Sequence, residues 1–199
     1  MASYAAIAAA SKSIERLLNA CFADEQPIDG HTSRATLVRT EDLVKTGAAF
    51  NFPIPGLTLF FYRVDFNKTM RAAWSGVGSL DGRGHLPLDL HFLVTPWADN
   101  AEHEQRVLGK AMECLETTPI IAGPILFPDP TTQWSPNDAI QVVLEEISTE
   151  AVMRTFDSLP IDYKLSVPYI ARVVRIDSKR VFASPTVEAV VRKLTPALP

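Results

Sequence analysis

The run Leu86-Pro87-Leu88-Asp89-Leu90-His91-Phe92-Leu93-Val94-Thr95-Pro96-Trp97, with the segment Glu102 to Met112 after it, constrains this chain more than any other part. Leu86, Leu88, Leu90 and Phe92 alternate with Pro87, Asp89 and His91, the period of a strand with two unlike faces. Pro87 marks the strand's start or an edge position, because proline cannot donate to a ladder. Pro96 stops the strand. Asp99 or Asn100 then caps a helix carrying Val107, Leu108, Ala111, Met112 and Leu115 on one side. Glu102 and Glu104 lie early in it and Arg106 and Lys110 later, as the helix dipole prefers. A strand followed so closely by a helix belongs to an α/β or α+β domain.

The rest of the chain supplies partners for that unit. Ile7, Ile14, Leu17, Leu18, Cys21 and Phe22 predict an amphipathic helix of about five turns, ended by Pro27 and Gly30. Ala35 to Arg39 is a short strand, and residues 46 to 56 form a turn-rich loop. Leu57 to Phe66 is a long central strand rich in β-branched and aromatic residues. Residues 67 to 85 read as a Gly-rich excursion, and residues 119 to 138 as an extended Pro-rich loop. Ala139 to Ile147 is a strand, and Ser148 caps a helix with Val152, Met153, Phe156 and Leu159 that Pro160 ends. Tyr163 to Ile176 is the last strand, with Leu165, Val167, Tyr169, Ala171 and Val173 on one face and Ser166, Pro168, Ile170, Arg172 and Val174 on the other. A tail holds a helix-like piece, Val187 to Leu194. The expected architecture is a mixed, largely antiparallel central sheet with packed helices: one domain over residues 1 to 182 and a C-terminal tail over 183 to 199.

Composition narrows the function. Hydrophobic residues make up 47% of the chain and charged residues 21%, enough for a core of ordinary size. The net charge is −4 and the basic residues are dispersed, which argues against a nucleic-acid partner. No apolar run reaches the roughly 18 residues that span a bilayer. The apolar start lacks the basic and Leu-rich regions of a signal peptide, so a cytoplasmic protein is expected. Cys21 and Cys114 fit no zinc or redox spacing, and the expectation is two buried, reduced thiols.

Catalytic signatures are missing where they would be sought. Gly109-Lys110 has Glu104 where a phosphate-binding loop needs glycine, and Gly76-Val77-Gly78 is followed by Asp81 at the third glycine position. His103-Glu104 begins like a zinc-protease motif, but Val107 replaces the second histidine. Asp89 and His91, two apart on one strand face, are the one pair that could build a metal or acid/base site. A polar surface is the preferred reading of that pair, and a small metal-dependent hydrolase the alternative. No cofactor is expected.

Two blocks carry a resemblance. One is Leu86 to Trp97 with Glu102-His103 and Leu108-Gly109-Lys110-Ala111-Met112. The other is Leu159-Pro160, Tyr163-Lys164-Leu165-Ser166-Val167-Pro168-Tyr169 and Arg172-Val173-Val174-Arg175-Ile176-Asp177-Ser178. With the helix that starts Tyr4-Ala5-Ala6-Ile7, they resemble the N-terminal domain of the sheath and tube terminators of antifeeding-prophage-like extracellular contractile injection systems. The resemblance covers residues 3 to 182. It implies a phage tail-terminator fold, a homohexameric ring, and docking onto the last tube and sheath layers at the end distal to the baseplate. Another tail or baseplate component of the same particle is the neighbouring alternative. The resemblance further implies a structural, non-enzymatic role, with cytoplasmic assembly followed by incorporation into the particle. Segments surplus to the core are the candidate contacts: the loop with Gly76, Gly78, Gly82 and Gly84, the loop with Pro124, Pro128, Pro130 and Trp134, and the tail from Asp177 with Arg180.

Overall fold

The structure, a computed structural model, describes residues 3 to 44, 50 to 74 and 82 to 181. In chain order the elements are α1 (Ala6–Asp24), β1 (Arg34–Val38), β2 (Gly56–Phe66), α2 (Lys68–Trp74), β3 (Arg83–Trp97), α3 (Ala101–Thr117), β4 (Ile120–Ala122), β5 (Ala139–Leu144), α4 (Thr149–Asp157) and β6 (Val167–Val181). The strands form a single six-stranded sheet in the order β1-β2-β3-β6-β5-β4. Among the described strands, only the β1–β2 pair is parallel. The mixed, mostly antiparallel sheet with packed helices is the architecture expected from the hydrophobic periods.

The main core lies between one sheet face and the pair α1 and α3. Ile14, Leu18 and Phe22 of α1 and Val107, Ala111 and Leu115 of α3 meet Leu57, Leu59, Leu90, Phe92, Ile140 and Ala171 of the sheet. The small residues Ala6, Ala9 and Ala10 are buried where the helix starts. Asn100 caps α3, its Oδ1 accepting from the His103 N–H at 2.8 Å. Ser148 caps α4, its Oγ accepting from the Ala151 N–H at 3.2 Å. Each cap satisfies a helix-end amide that has no partner within the helix.

Three features of the sheet depart from the sequence expectations. First, the opposite face is also covered, but only at one end. Leu93 packs with Val152 and Phe156 of α4, and Trp97 packs with Leu43 and Phe52. The second half of β3 is therefore buried on both faces, and strict alternation stops at His91. Second, β3 is central, not an edge, although it contains Pro87. The Pro87 carbonyl accepts from the Asn67 N–H at 2.9 Å, on the β2 side. A strand residue's N–H and C=O point to the same side, so the missing donor of Pro87 faces the point where β2 has ended. Pro168 follows the same rule in β6: its carbonyl accepts from Glu145, one residue past the end of β5. Third, β6 runs on to Val181 and carries a bulge between the partners of Leu88 and Leu90. One extra residue reverses the side-chain period, so Val174 joins Tyr169 and Ala171 in the core in place of Val173.

The two surplus loops are partly structured. Residue 67 opens a helix: Asn67 Oδ1 accepts from the Met70 N–H at 2.9 Å. The Pro-rich segment contributes the edge strand β4 and is then pinned. Trp134 Nε1 donates to the Phe127 carbonyl at 2.9 Å, and the Phe127 N–H donates to Ser13 Oγ at 2.7 Å. The cysteines correct the expectation of free thiols. Cys21 of α1 and Cys114 of α3 form a disulfide, with Cα atoms 6.3 Å apart across 93 residues of sequence. Two helices packed side by side bring together residues that the sequence keeps far apart.

Candidate functional site

The sheet face not covered by α1 and α3 is apolar at the Trp97 end and polar around His91. The polar part arises from a bulge in β2. Phe61 pairs with Phe92 and Arg63 with His91, so Tyr62 is the extra residue. The bulge turns Tyr62 and Arg63 toward the same neighbour, Glu145, just past β5. Tyr62 Oη donates to Glu145 Oε2 at 3.0 Å, and an Arg63 guanidinium N–H donates to Oε1 at 2.9 Å. His91 Nδ1 lies 2.7 Å from the same Oε1, and its Nε2 lies 3.3 Å from Asp65 Oδ2. Arg63 Nε closes the circuit with Asp65 at 3.0 Å. Burial, followed by the adjacent Glu145 carboxylate, pushes the Tyr62 phenol up to about 12.

Asp89 and His91 therefore share a neighbourhood but not a task. Asp89 accepts from Asn67 Nδ2 at 3.1 and 3.2 Å, which ties β3 to the start of α2. Both residues line an open cleft of about 480 Å³ with Asp65, Lys68 and Arg172. His91 is only 4% exposed, against the expectation of a surface residue. Both of its ring nitrogens face carboxylates. Among the described residues, no three His, Cys, Asp or Glu side chains converge to hold a metal ion. The cluster joins β2 and β3 to the residue just past β5, with both His91 ring nitrogens and both Glu145 carboxylate oxygens paired. Sequence reading found Asp89 and His91 but missed Tyr62, Arg63 and Glu145. Their only signal was polar residues inside or beside apolar strand runs.

The apolar end presents a second cleft, of about 570 Å³, lined by Leu43, Phe50, Trp97, Leu159, Ile161 and Tyr163 among others. Trp97 forms its floor: the indole Nε1 donates to Thr58 Oγ1 at 2.9 Å, and Lys164 Nζ sits 4.9 Å above the ring.

The predicted contact residues are dispersed. Gly76 and Gly78 lie outside the described residues, as does the tail from 183. Gly82 adopts φ 65° just before β3, and Gly84 lies within β3, beside Ser178. Pro124 sits in a 3-10 turn after β4, while Pro128 precedes and Pro130 lies within the turn bridged at Asp129 and Thr132. Trp134 packs against the main core. Asp177 belongs to β6 and not to a free tail. It is 5% exposed, and its carboxylate meets His85 Nδ1 at 2.7 Å and Arg175 Nε at 2.8 Å. Arg180 is exposed near the end of the same strand. Those of them that lie among the described residues are gathered into no single site. No described helix is long and apolar enough to cross a membrane.

Comparison with known proteins gives this geometry a context. No curated protein sequence matches the chain. A solved structure described as "Cryo-EM Structure of an Extracellular Contractile Injection System, PVC sheath/tube terminator in extended state" is similar in fold, with a TM-score of 0.56 and 19% sequence identity. The similarity covers 97% of this chain but 65% of that one, so this chain spans about two thirds of that protein's length. The Pvc16 N-terminal domain describes residues 9–189. With nearly its whole length matched, the chain belongs to the Pvc16 N-terminal domain family.

Proposed function

We propose that this protein is a non-enzymatic terminator of a phage-tail-like contractile injection particle, closing the tube and sheath at the end distal to the baseplate. The observation that carries the reading is the match of residues 9–189 to the Pvc16 N-terminal domain, supported by the fold it shares with a sheath/tube terminator. The physical logic agrees. A tail grows by adding identical rings, and each ring re-creates the surface it bound. A terminator must bind that surface without presenting a copy of it. A homohexameric ring, closed by one patch of each copy against a different patch of the next, meets the symmetry of such a tail. Tube and sheath proteins are the partners in this reading, and assembly takes place in the cytoplasm before the finished particle carries the protein.

The side chains support a structural role. The chemically richest cluster, around His91, is internally paired. The experiment is electron microscopy of particles from a strain lacking the gene. Tubes and sheaths of uncontrolled length, or particles that fail to stay sheathed, are expected. Particles of normal length and sheathing would refute the assignment.

A further inference from the structure

A six-stranded sheet has two edges, and here they are treated differently. At the β1 edge, Arg34, Thr36 and Val38 face inward to pair with β2. The alternate residues face outward, where an unpaired strand would template another chain. Each of their amides is already taken by a side chain of α1 or of the residues just after it. The Leu37 N–H donates to Glu15 Oε1 at 3.0 Å, the Ala35 N–H to Asn19 Oδ1 at 3.0 Å, and the Ser33 N–H to Gln26 Oε1 at 2.7 Å. Asn19 Nδ2 also donates to the Ala35 carbonyl at 2.9 Å, so this amide copies both bonds of a neighbouring strand residue.

The spacing explains why a helix can do this. One step of four residues along α1 advances about 6.0 Å, and two residues of β1 advance about 6.6 Å. Glu15 and Asn19 therefore match Leu37 and Ala35, with the helix running antiparallel to the strand. The capping groups are themselves held in place. Glu15 Oε2 pairs with Lys12 Nζ at 2.6 Å, and Gln26 Nε2 donates to the Phe22 carbonyl at 2.5 Å. Among the described residues, the other edge has no such cover. The Pro119 carbonyl faces inward, accepting from Val142 at 2.8 Å, so Ile120 and Ala122 face outward. Among the described residues, no α1 or α3 side chain reaches their N–H groups, and the Ile120 side chain is 55% exposed.

We propose that α1 serves as a side-chain substitute for a further strand, closing the β1 edge to strand addition by a second copy of this chain. The inference rests on hydrogen bonds within one copy and does not depend on the terminator reading. It is tested on purified full-length protein. The triple variant Glu15→Ala, Asn19→Ala, Gln26→Ala should form species above the wild-type mass in analytical ultracentrifugation, increasing with concentration. Adding Leu37→Pro should return the mass to wild type, because proline removes an outward N–H and leaves the inward ladder intact. A folded triple variant with wild-type mass throughout, or extra association that survives Leu37→Pro, would overturn the proposal. Hydrogen exchange on the wild type decides the matter even if the triple variant does not fold. The Ala35 and Leu37 amides should be protected to within about tenfold of Thr36, whose amide is in the ladder. Exchange at the rate of an exposed loop would overturn the proposal equally.

Discussion

Single side chains in this protein divide into those whose surroundings are apolar and those that are held by polar partners. Leu108 belongs to the first kind. It is 6% exposed and packs in the main core from the middle of α3. Leu108→Asp buries a carboxylate with no partner and should cost several kcal/mol, comparable to the whole stability of an ordinary domain. Thermal melting checks this, and an unchanged melting temperature would contradict the packing described. Tyr62 belongs to the second kind. Its phenol is raised to about 12 by burial and by Glu145, and the Tyr169 phenol is raised to about 12 by burial and by Glu116. The unfolded chain would ionise these groups near 10. The folded state thus keeps protons that the unfolded state releases. The stability contributed is intact below pH 10 and is lost as pH rises from about 10 to about 12. Denaturant titration across that range should show the fall, and Tyr62→Phe should make it smaller.

Elements meet at a few points that tolerate little change. β2 begins at Gly56, where a Cβ would lie 2.5 Å from the Pro53 carbonyl oxygen and 2.8 Å from that of Arg34. Both neighbours are backbone, one of them in β1, so Gly56→Ala must push the strands apart. A loss of about 1–3 kcal/mol is expected, read as a lower denaturation midpoint with an unchanged slope. The disulfide joins α1 to α3 on one face of the sheet. Closing 93 residues of chain removes entropy from the unfolded state, a stabilisation on the order of 4 kcal/mol. Reductant, or Cys21→Ala with Cys114→Ala, should lower the melting temperature while the far-ultraviolet circular dichroism of the native state stays the same. Pro87 of β3 and Pro168 of β6 show the same economy. Each sits in a central strand with its missing donor turned to the side where the neighbouring strand has stopped.

Taken whole, the molecule is a sheet with helices α1 and α3 over one face and α4 over part of the other. Its polar remainder is tied together by the His91 cluster. β6 extends to Val181, so truncation after Asp177 would remove part of a strand that pairs with β3. Truncation after Val181 is the cleaner experiment. It should leave the unfolding free energy within about 1 kcal/mol of the full chain, because no part of the described core is lost. If the tail makes docking contacts, particles carrying that truncation should show abnormal length by electron microscopy. Normal length would assign docking to other segments.

Much of this architecture was legible in the chain. The helices around Leu18, Leu108 and Phe156, the strands around Phe60, Phe92 and Ala171, the cap at Ser148 and a cap at Asp99 or Asn100 were all read from period and composition. These features depend on interactions between residues a few positions apart, so a linear pattern records them. Folding alone produced the rest. The bulge at Tyr62 and the one in β6 changed which residues face the core, and α4 covered one end of a face that otherwise reads as open. Those events buried His91 and assigned it to Glu145, 54 residues away. Cys21 met Cys114, and Asn19 met the backbone of Ala35, only because α1 settled beside α3 and β1. No local signal encodes such meetings, since each depends on how whole elements pack and not on the propensities of the residues that touch.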